Sequence, residues 1–400
     1  MQPSGPVPVG ARRARARLMR IFVIAGEPSG DRLGGALMAG LRRLRHEVTF
    51  TGIGGPMMAD QGLVSRFDMA ELSIMGLAEV APKYFHLKRR IAETAQAILT
   101  QKPDVVITID APDFCLRVAK LVKAGSTIRT VHYVAPTVWA WRPGRAAKMA
   151  RVIDHVLALF PFEPPLMQAA GMACDFVGHP VVAEPQATAT DIATFRTQHG
   201  LGDAPILLVL PGSRRGEVAR LAPTFGAALR KFLPNHPDMR VIVPAAGPVA
   251  GLVREQIADW PGDPMVLDPA YTNPDEKRAA FAAASLALAA SGTVSLELAA
   301  ANTPMVIAYD FNWITRQILR RMMLTDTATL VNLVSETRVV PECLGENCRS
   351  GPIVRALENV LNAPEKQTDA MALTMQRLGQ GGEAPGLRAA RAVLAGMAQR

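Results

Sequence analysis

The sequence predicts an α/β protein of two Rossmann-like, doubly wound domains. Three observations carry that expectation: short apolar runs recur between amphipathic stretches, several runs end in small-residue turns, and the rhythm breaks once near the middle. Continuous apolar strands alternating with helices mark a parallel sheet covered on both faces. A length of 400 residues exceeds what one core usually supports, which points the same way.

The first series of strand-like runs is 20–25, 48–53, 104–109, 128–134 and 155–160. Helical patterns lie at 34–45, 86–101, 113–124, 143–151 and 164–170. Residues 179–191 are rich in Pro, Ala and Thr, lack periodicity, and read as a linker. A second series follows at 205–210, 240–244, 264–267, 285–290 and 304–309, and the helical tail 353–400 is broken at 379–386. The expected division is a basic tail over 1–19, an N-terminal domain over 20–182, a linker region over 183–203, a C-terminal domain over 204–352 and a helical tail over 353–400. Such folds bind ligands at the carboxyl ends of their strands, so the expected site is a cleft between the domains.

Composition narrows the class. Apolar residues make up 49% and charged residues 20% of the chain, which suits a packed globular protein. Cys115, Cys174, Cys343 and Cys348 show neither a CxxC nor a paired His spacing, so an intracellular thiol protein is expected rather than a disulfide scaffold or zinc site. Arg12, Arg13, Arg15, Arg17 and Arg20 supply +5 of the net +9, leaving the rest of the chain close to balance. That tail suits contact with anionic lipid or nucleic acid, or a short disordered extension, equally. It has no apolar stretch of signal-peptide type, and no run approaches the roughly 20 apolar residues needed to cross a bilayer.

Five segments carry chemistry. Gly26 to Gly35 follows the first strand and opens the first helix; its glycines permit close backbone approach, while Ser29 and Asp31 are N-cap types. It is not a GxGxxG fingerprint in phase, which disfavours a dinucleotide. Asp110 and Asp113 follow the apolar strand 104–109; Asp113 is assigned the capping role and Asp110 the chemistry, where partial desolvation raises a carboxylate toward a general base's range. His132 to Arg142 concentrates Trp139 and Trp141 in one loop, suited to stacking on sugars or acyl chains and equally to a structural, Pro-anchored loop. Gly212, Ser213, Arg214 and Arg215 offer backbone N–H groups and a guanidinium fork to an anion. The strongest is Ser291-Gly292-Thr293 before a helix, with Glu297 one turn in: a diphosphate cradle with a carboxylate placed for a ribose diol. Residues 313–324 form a basic amphipathic segment, suited to docking on anionic lipid or to packing on a core with solvated arginines.

In this order the motifs resemble the lipid-A-disaccharide synthase family, inverting glycosyltransferases of GT-B architecture. The stretches are AGEPSGD (25–31), GIGGPMM (52–58), IDAPDF (109–114), HYVAPTVWAWR (132–142), FVGHP (176–180), LPGSR (210–214), ASGTVSLE (290–297) and Thr325-Asp326 to Asn332-Leu333. The likeness spans roughly 20–360; Arg215 departs from it, standing where the family pattern has Gly, and so does the arginine-rich extension. The resemblance implies two facing Rossmann-like domains with C-terminal helices returning to the first. It implies transfer of 2,3-diacylglucosamine from UDP-2,3-diacylglucosamine to 2,3-diacylglucosamine 1-phosphate (lipid X), with neither metal nor cofactor. It implies Asp110 as the base, a UDP-binding set of Arg214, Ser213, Ser291, Gly292, Thr293, Glu297 and Asn332, and an acceptor side of Ser29, Gly30 and Asp31. It further implies a cytoplasmic enzyme peripheral to the inner membrane, with no nucleic-acid partner and with C-terminal segments that protomers can exchange in a homodimer. Leu72, Met75, Leu77 and Phe85, with Lys88, Arg89 and Arg90 nearby, are the candidate lipid-facing patch.

Overall fold

The computed structural model describes residues 18–72, 77–311 and 323–398, with side chains omitted for 77–84. The arginine tail, Met75, the Leu77 side chain and nearly all of the basic segment 313–324 lie outside the described residues.

Strands β1 (Met19–Ala25), β2 (Val48–Ile53), β3 (Val105–Ile109), β4 (Arg129–Tyr133), β5 (His155–Ala158) and β6 (Ala173–Phe176) form a six-stranded sheet in the order β2-β1-β3-β4-β5-β6. Strands β7 (Ile206–Leu210), β8 (Arg240–Pro244), β9 (Met265–Leu267), β10 (Leu286–Ala289), β11 (Met305–Tyr309) and β12 (Glu342–Leu344) form another, ordered β12-β11-β10-β7-β8-β9. Every neighbouring pair of the second sheet runs parallel, as do β1–β2, β1–β3, β3–β4 and β4–β5. The central strands are apolar throughout because both faces are covered: all five residues of β3 and of β7 are buried.

The chain divides into two compact units. One comprises residues up to Val134 with Met149–Leu157 and the C-terminal residues from Gly386; the other comprises Ala135–Lys148 and Ala158–Pro385. The first unit's core sets Phe22, Ile24 and Val106 of its sheet against Ile98, Phe114 and Val118 of two helices. The second packs Leu207, Val209 and Leu288 against Leu221, Phe225 and Leu229 of helix Arg215–Phe232. Each such side chain contributes about 1.5–3 kcal/mol on burial, so the sheets are held mainly by these faces.

Two details correct the expected punctuation. The linker region is not structureless: helix Ala189–Gln198 lies within it, closed by a capping box in which Thr188 and Asp191 satisfy each other's backbone N–H. The tail is three helices, Ser350–Asn362, Glu365–Arg377 and Pro385–Ala398, with Ala363-Pro364 making a break that periodicity hid. The last packs on helix Pro28–Leu44 of its own chain at backbone distance: a Cβ on Gly40 would meet the Gly386 carbonyl oxygen at 2.7 Å, and one on Gly386 the Ala36 oxygen at 2.6 Å. The middle helix is pinned by Gln367, buried, whose amide pairs with both the N–H and the carbonyl of Met305.

Candidate active site

In each sheet the strand order reverses beside its first strand, between β1 and β3 in one and between β7 and β10 in the other. These reversals open the crevices where doubly wound sheets bind ligands. The loops leaving those four strands carry Gly26 to Asp31, Asp110 to Asp113, Gly212 to Arg215, and Ser291 to Thr293.

At the first reversal Ala25 pairs with Ile109, so the two loops leave side by side. A Cβ on Gly26 would stand 2.8 Å from that of Ala111, and Gly30 sits against Ala25 and the Ile109 carbonyl. The glycines therefore let the loops touch. Asp110 (φ 50°) and Ala111 (φ 43°) are both left-handed. Asp tolerates that conformation but Ala does not, and two such residues in succession cost on the order of 1–3 kcal/mol each, a strain of the kind found at functional sites. The turn lifts Asp110 off the strand end, its N–H donating to the Tyr133 carbonyl at 3.0 Å. Burial pushes the Asp110 carboxyl up, and the N–H of Ala111 offsets part of that rise. Cys115, fully buried below it, is pushed up by desolvation and by the Asp110 charge, which keeps the thiol inert.

One assignment near this loop needs correction. The N-cap of helix Pro112–Gly125 is Ala111, with no side-chain cap bond; Asp113 is exposed on the first turn and caps nothing. Helix Pro28–Leu44 likewise has Glu27 at its N-cap and no side-chain cap. Asp31 instead turns inward, 2% exposed, and accepts the N–H groups of Gly55, Met57 and Met58 at 2.8, 2.9 and 3.1 Å. It is a fastener for the 55–58 turn. Ser29 is exposed beside it, and Gly30 is buried.

At the second reversal Leu210 pairs with Ala289, and the N–H of Ala290 donates to the Leu210 carbonyl at 2.9 Å. Ser291, Gly292 and Thr293 lead into helix Val294–Ala300, with Gly292 (φ 155°) facing open space. Ser291 Oγ donates to the Ala328 carbonyl at 3.2 Å, tying the turn to the 325–333 segment. Glu297 is held by Lys277 Nζ at 2.6 Å, a partner no motif singled out. The Arg214 side chain is 66% exposed and its neighbour Arg215 is also exposed.

Asn332 is engaged within the fold. It is 1% exposed, its Nδ2 donates to Thr327 Oγ1 and the Val340 carbonyl, and its Oδ1 accepts the Val340 N–H. It shapes the segment that backs Ser291, where Glu342 also accepts the N–H groups of Ala328 and Thr329. In the tryptophan loop, Trp139 packs on Phe160 and Phe162 while Trp141 lies under Arg142 and Arg145, so both rings have partners in the fold. Of the lipid-facing patch, Phe85 is 78% exposed, but Arg90 grips Glu71 through two nitrogens at 2.8 and 2.9 Å and is not available to a headgroup. Among the described residues no helix is long and apolar enough to cross a membrane, and no three carboxylate, His or Cys side chains are grouped to hold a metal ion.

Two parallel six-stranded sheets, each reversing beside its first strand, give the chain the GT-B fold. UDP-GlcNAc 2-epimerase from Neisseria meningitidis, bound to UDP-GlcNAc, shares this fold with a TM-score of 0.64 over 96% of this chain and 100% of that one, at 10% identity. The chain belongs to the lipid-A-disaccharide synthetase family, whose profile matches residues 21–393, and is thereby a glycosyltransferase. It is 69% identical to the lipid-A-disaccharide synthase of Ruegeria pomeroyi over 98% of this chain and 99% of the relative. Identity to the synthase of Rhodospirillum centenum is 48%, over 94% of each.

Proposed function

We propose that the protein transfers 2,3-diacylglucosamine from its UDP conjugate to the 6-hydroxyl of 2,3-diacylglucosamine 1-phosphate, with inversion, giving the β-1,6-linked lipid A disaccharide 1-phosphate and UDP. The observation that carries the reading is Asp110, a carboxylate raised by burial on a strained turn at the end of β3. It takes the proton of the acceptor hydroxyl as that oxygen bonds to the donor's anomeric carbon. The bond from that carbon to the diphosphate oxygen breaks, and UDP leaves with the electron pair. Arg214 and the N–H groups at the 291–293 turn are fixed donors for the charge growing on the diphosphate, and Glu297 serves the ribose diol. Ser213 is the remaining donor-side group. Ser29 and Gly30 line the acceptor side, with Asp31 shaping it from behind.

Both substrates carry acyl chains, so this reading puts the protein at the cytoplasmic face of the inner membrane. A homodimer formed by segment exchange would replace the contact of helix Pro385–Ala398 on helix Pro28–Leu44 with the same contact made by a partner. The test is incubation of purified protein with the two acylated sugars. UDP should appear only when both are present, with a product whose mass is that of the disaccharide. Conversion of a UDP-sugar without an acceptor would replace this reading with an epimerase.

A further inference from the structure

The Gly-Ser-Arg turn after β7 has the form of an anion nest, yet an internal carboxylate occupies it. Glu217 Oε2 accepts the N–H groups of Ser213 at 3.1 Å and Arg214 at 3.3 Å. Its Oε1 accepts Arg214 Nη1 at 3.2 Å and the Tyr309 hydroxyl at 3.2 Å. The side chain is 12% exposed against 66% for Arg214. Gly212, at φ 123°, makes the room: a Cβ there would stand 2.6 Å from Glu217 Cβ and 2.8 Å from its Oε2.

A glutamate at the third helical position ordinarily reaches only the N-cap N–H. Glu217 reaches three further groups: the Ser213 N–H, the Arg214 guanidinium and a hydroxyl at the end of β11, the strand beside β10 and its 291–293 turn. We propose that Glu217 is a positioning residue for the transfer: it fills the nest itself and, braced by Tyr309, aims the Arg214 guanidinium at the leaving diphosphate. Glu217 engages one of the five guanidinium N–H groups, which leaves the remaining fork for phosphate oxygens. The diphosphate therefore meets the Arg214 side chain rather than the turn's backbone. This rests on the reaction proposed above.

The experiment is a double-mutant cycle with the full-length protein, reading kcat and donor KM by UDP release and the affinity for UDP by calorimetry. Glu217→Gln keeps an oxygen for the two N–H groups but loses the charge that orients Arg214. It should lower kcat about tenfold, with donor KM and UDP affinity moving less than about threefold. Tyr309→Phe, which removes one brace and no charge, should lower kcat about two- to threefold and keeps the idea testable if Glu217 variants fold poorly. In an Arg214→Ala background Glu217→Gln should cost nothing further, because its effect acts through that guanidinium. Three results would overturn the proposal. One is an undiminished loss in the Arg214→Ala background, which would make Glu217 merely structural. A second is Glu217→Gln binding UDP more tightly at unchanged kcat, which would mean the diphosphate displaces the carboxylate from the nest. The third is Tyr309→Phe at wild-type kcat. Wild-type protein that releases no UDP would instead overturn the reaction on which the proposal rests.

Discussion

The crevice at β1 and β3 and the crevice at β7 and β10 arise from one topological device, yet their chemistry is opposite. The first presents a carboxylate, Asp110, on a doubly left-handed turn, with burial lifting its proton affinity. The second presents an exposed guanidinium, two hydroxyls and an open glycine turn at a helix N-terminus. The proposed transfer calls on both: one group to remove a proton, others to receive negative charge. The fold supplies two equivalent crevices, and the loop residues make them unequal.

The contrast breaks most readily at Asp110. Asp110→Asn should lower kcat by about 10²–10⁴-fold, measured as UDP release with both acylated sugars. Asparagine also tolerates the left-handed turn, and removing a buried charge relieves desolvation, so thermal unfolding at neutral pH should occur at or above the wild-type temperature. In the proposed reaction Asp110 works deprotonated, so the wild-type kcat/KM should rise with pH through a limb lying above the ordinary carboxylate range, and that limb should vanish in the variant.

Next in size is Arg214→Ala. Losing a charged donor to the leaving diphosphate should reduce kcat/KM about 10²-fold, with unfolding little changed because the side chain is two-thirds exposed. Smaller, and of another kind, is Asp31→Ala, which strands three backbone N–H groups. It should cost roughly 2–3 kcal/mol of stability by denaturant unfolding, whereas an effect on activity with no loss of stability would return Asp31 to the acceptor site.

Glu163 gives the finest distinction. Burial pushes its carboxyl up to about 7, opposed by the N–H groups of Phe160 and Leu159 and by the Trp139 indole. A raised carboxyl means the folded state holds the proton more tightly than the unfolded chain. Its contribution is therefore full below the ordinary value of 4.5 and is lost as pH rises to about 7. Glu163→Gln should flatten the decline in stability across that window, measured by unfolding at several pH values.

Much of this is legible in the sequence alone. Runs 48–53 and 240–244 match β2 and β8 end to end: β8 is an unbroken buried apolar run after Arg240, whereas β2, an edge strand, alternates buried residues with exposed Thr49 and Thr51. Strands β6 and β12 escaped notice: each is a short edge strand, and Ala173 to Phe176 is half exposed and reads like a loop. Helix Ala189–Gln198 was hidden because its Thr- and Ala-rich sequence has almost no apolar stripe. At the site, Asp110 and the 291–293 turn stood out because strand ends followed by special residues are visible in one dimension. The partners were not. That Asp31 faces Gly55, that Asn332 clamps Val340, and that Glu217 fills the Gly-Ser-Arg turn are facts of side-chain direction, which residue type and spacing leave open.

The division of labour between the crevices is tested most directly by titrating UDP into three proteins by calorimetry: wild type, Asp110→Asn and Arg214→Ala. The account predicts that Asp110→Asn binds UDP as wild type does while Arg214→Ala binds about tenfold or more weakly. Weakened binding in Asp110→Asn, with Arg214→Ala unaffected, would contradict it.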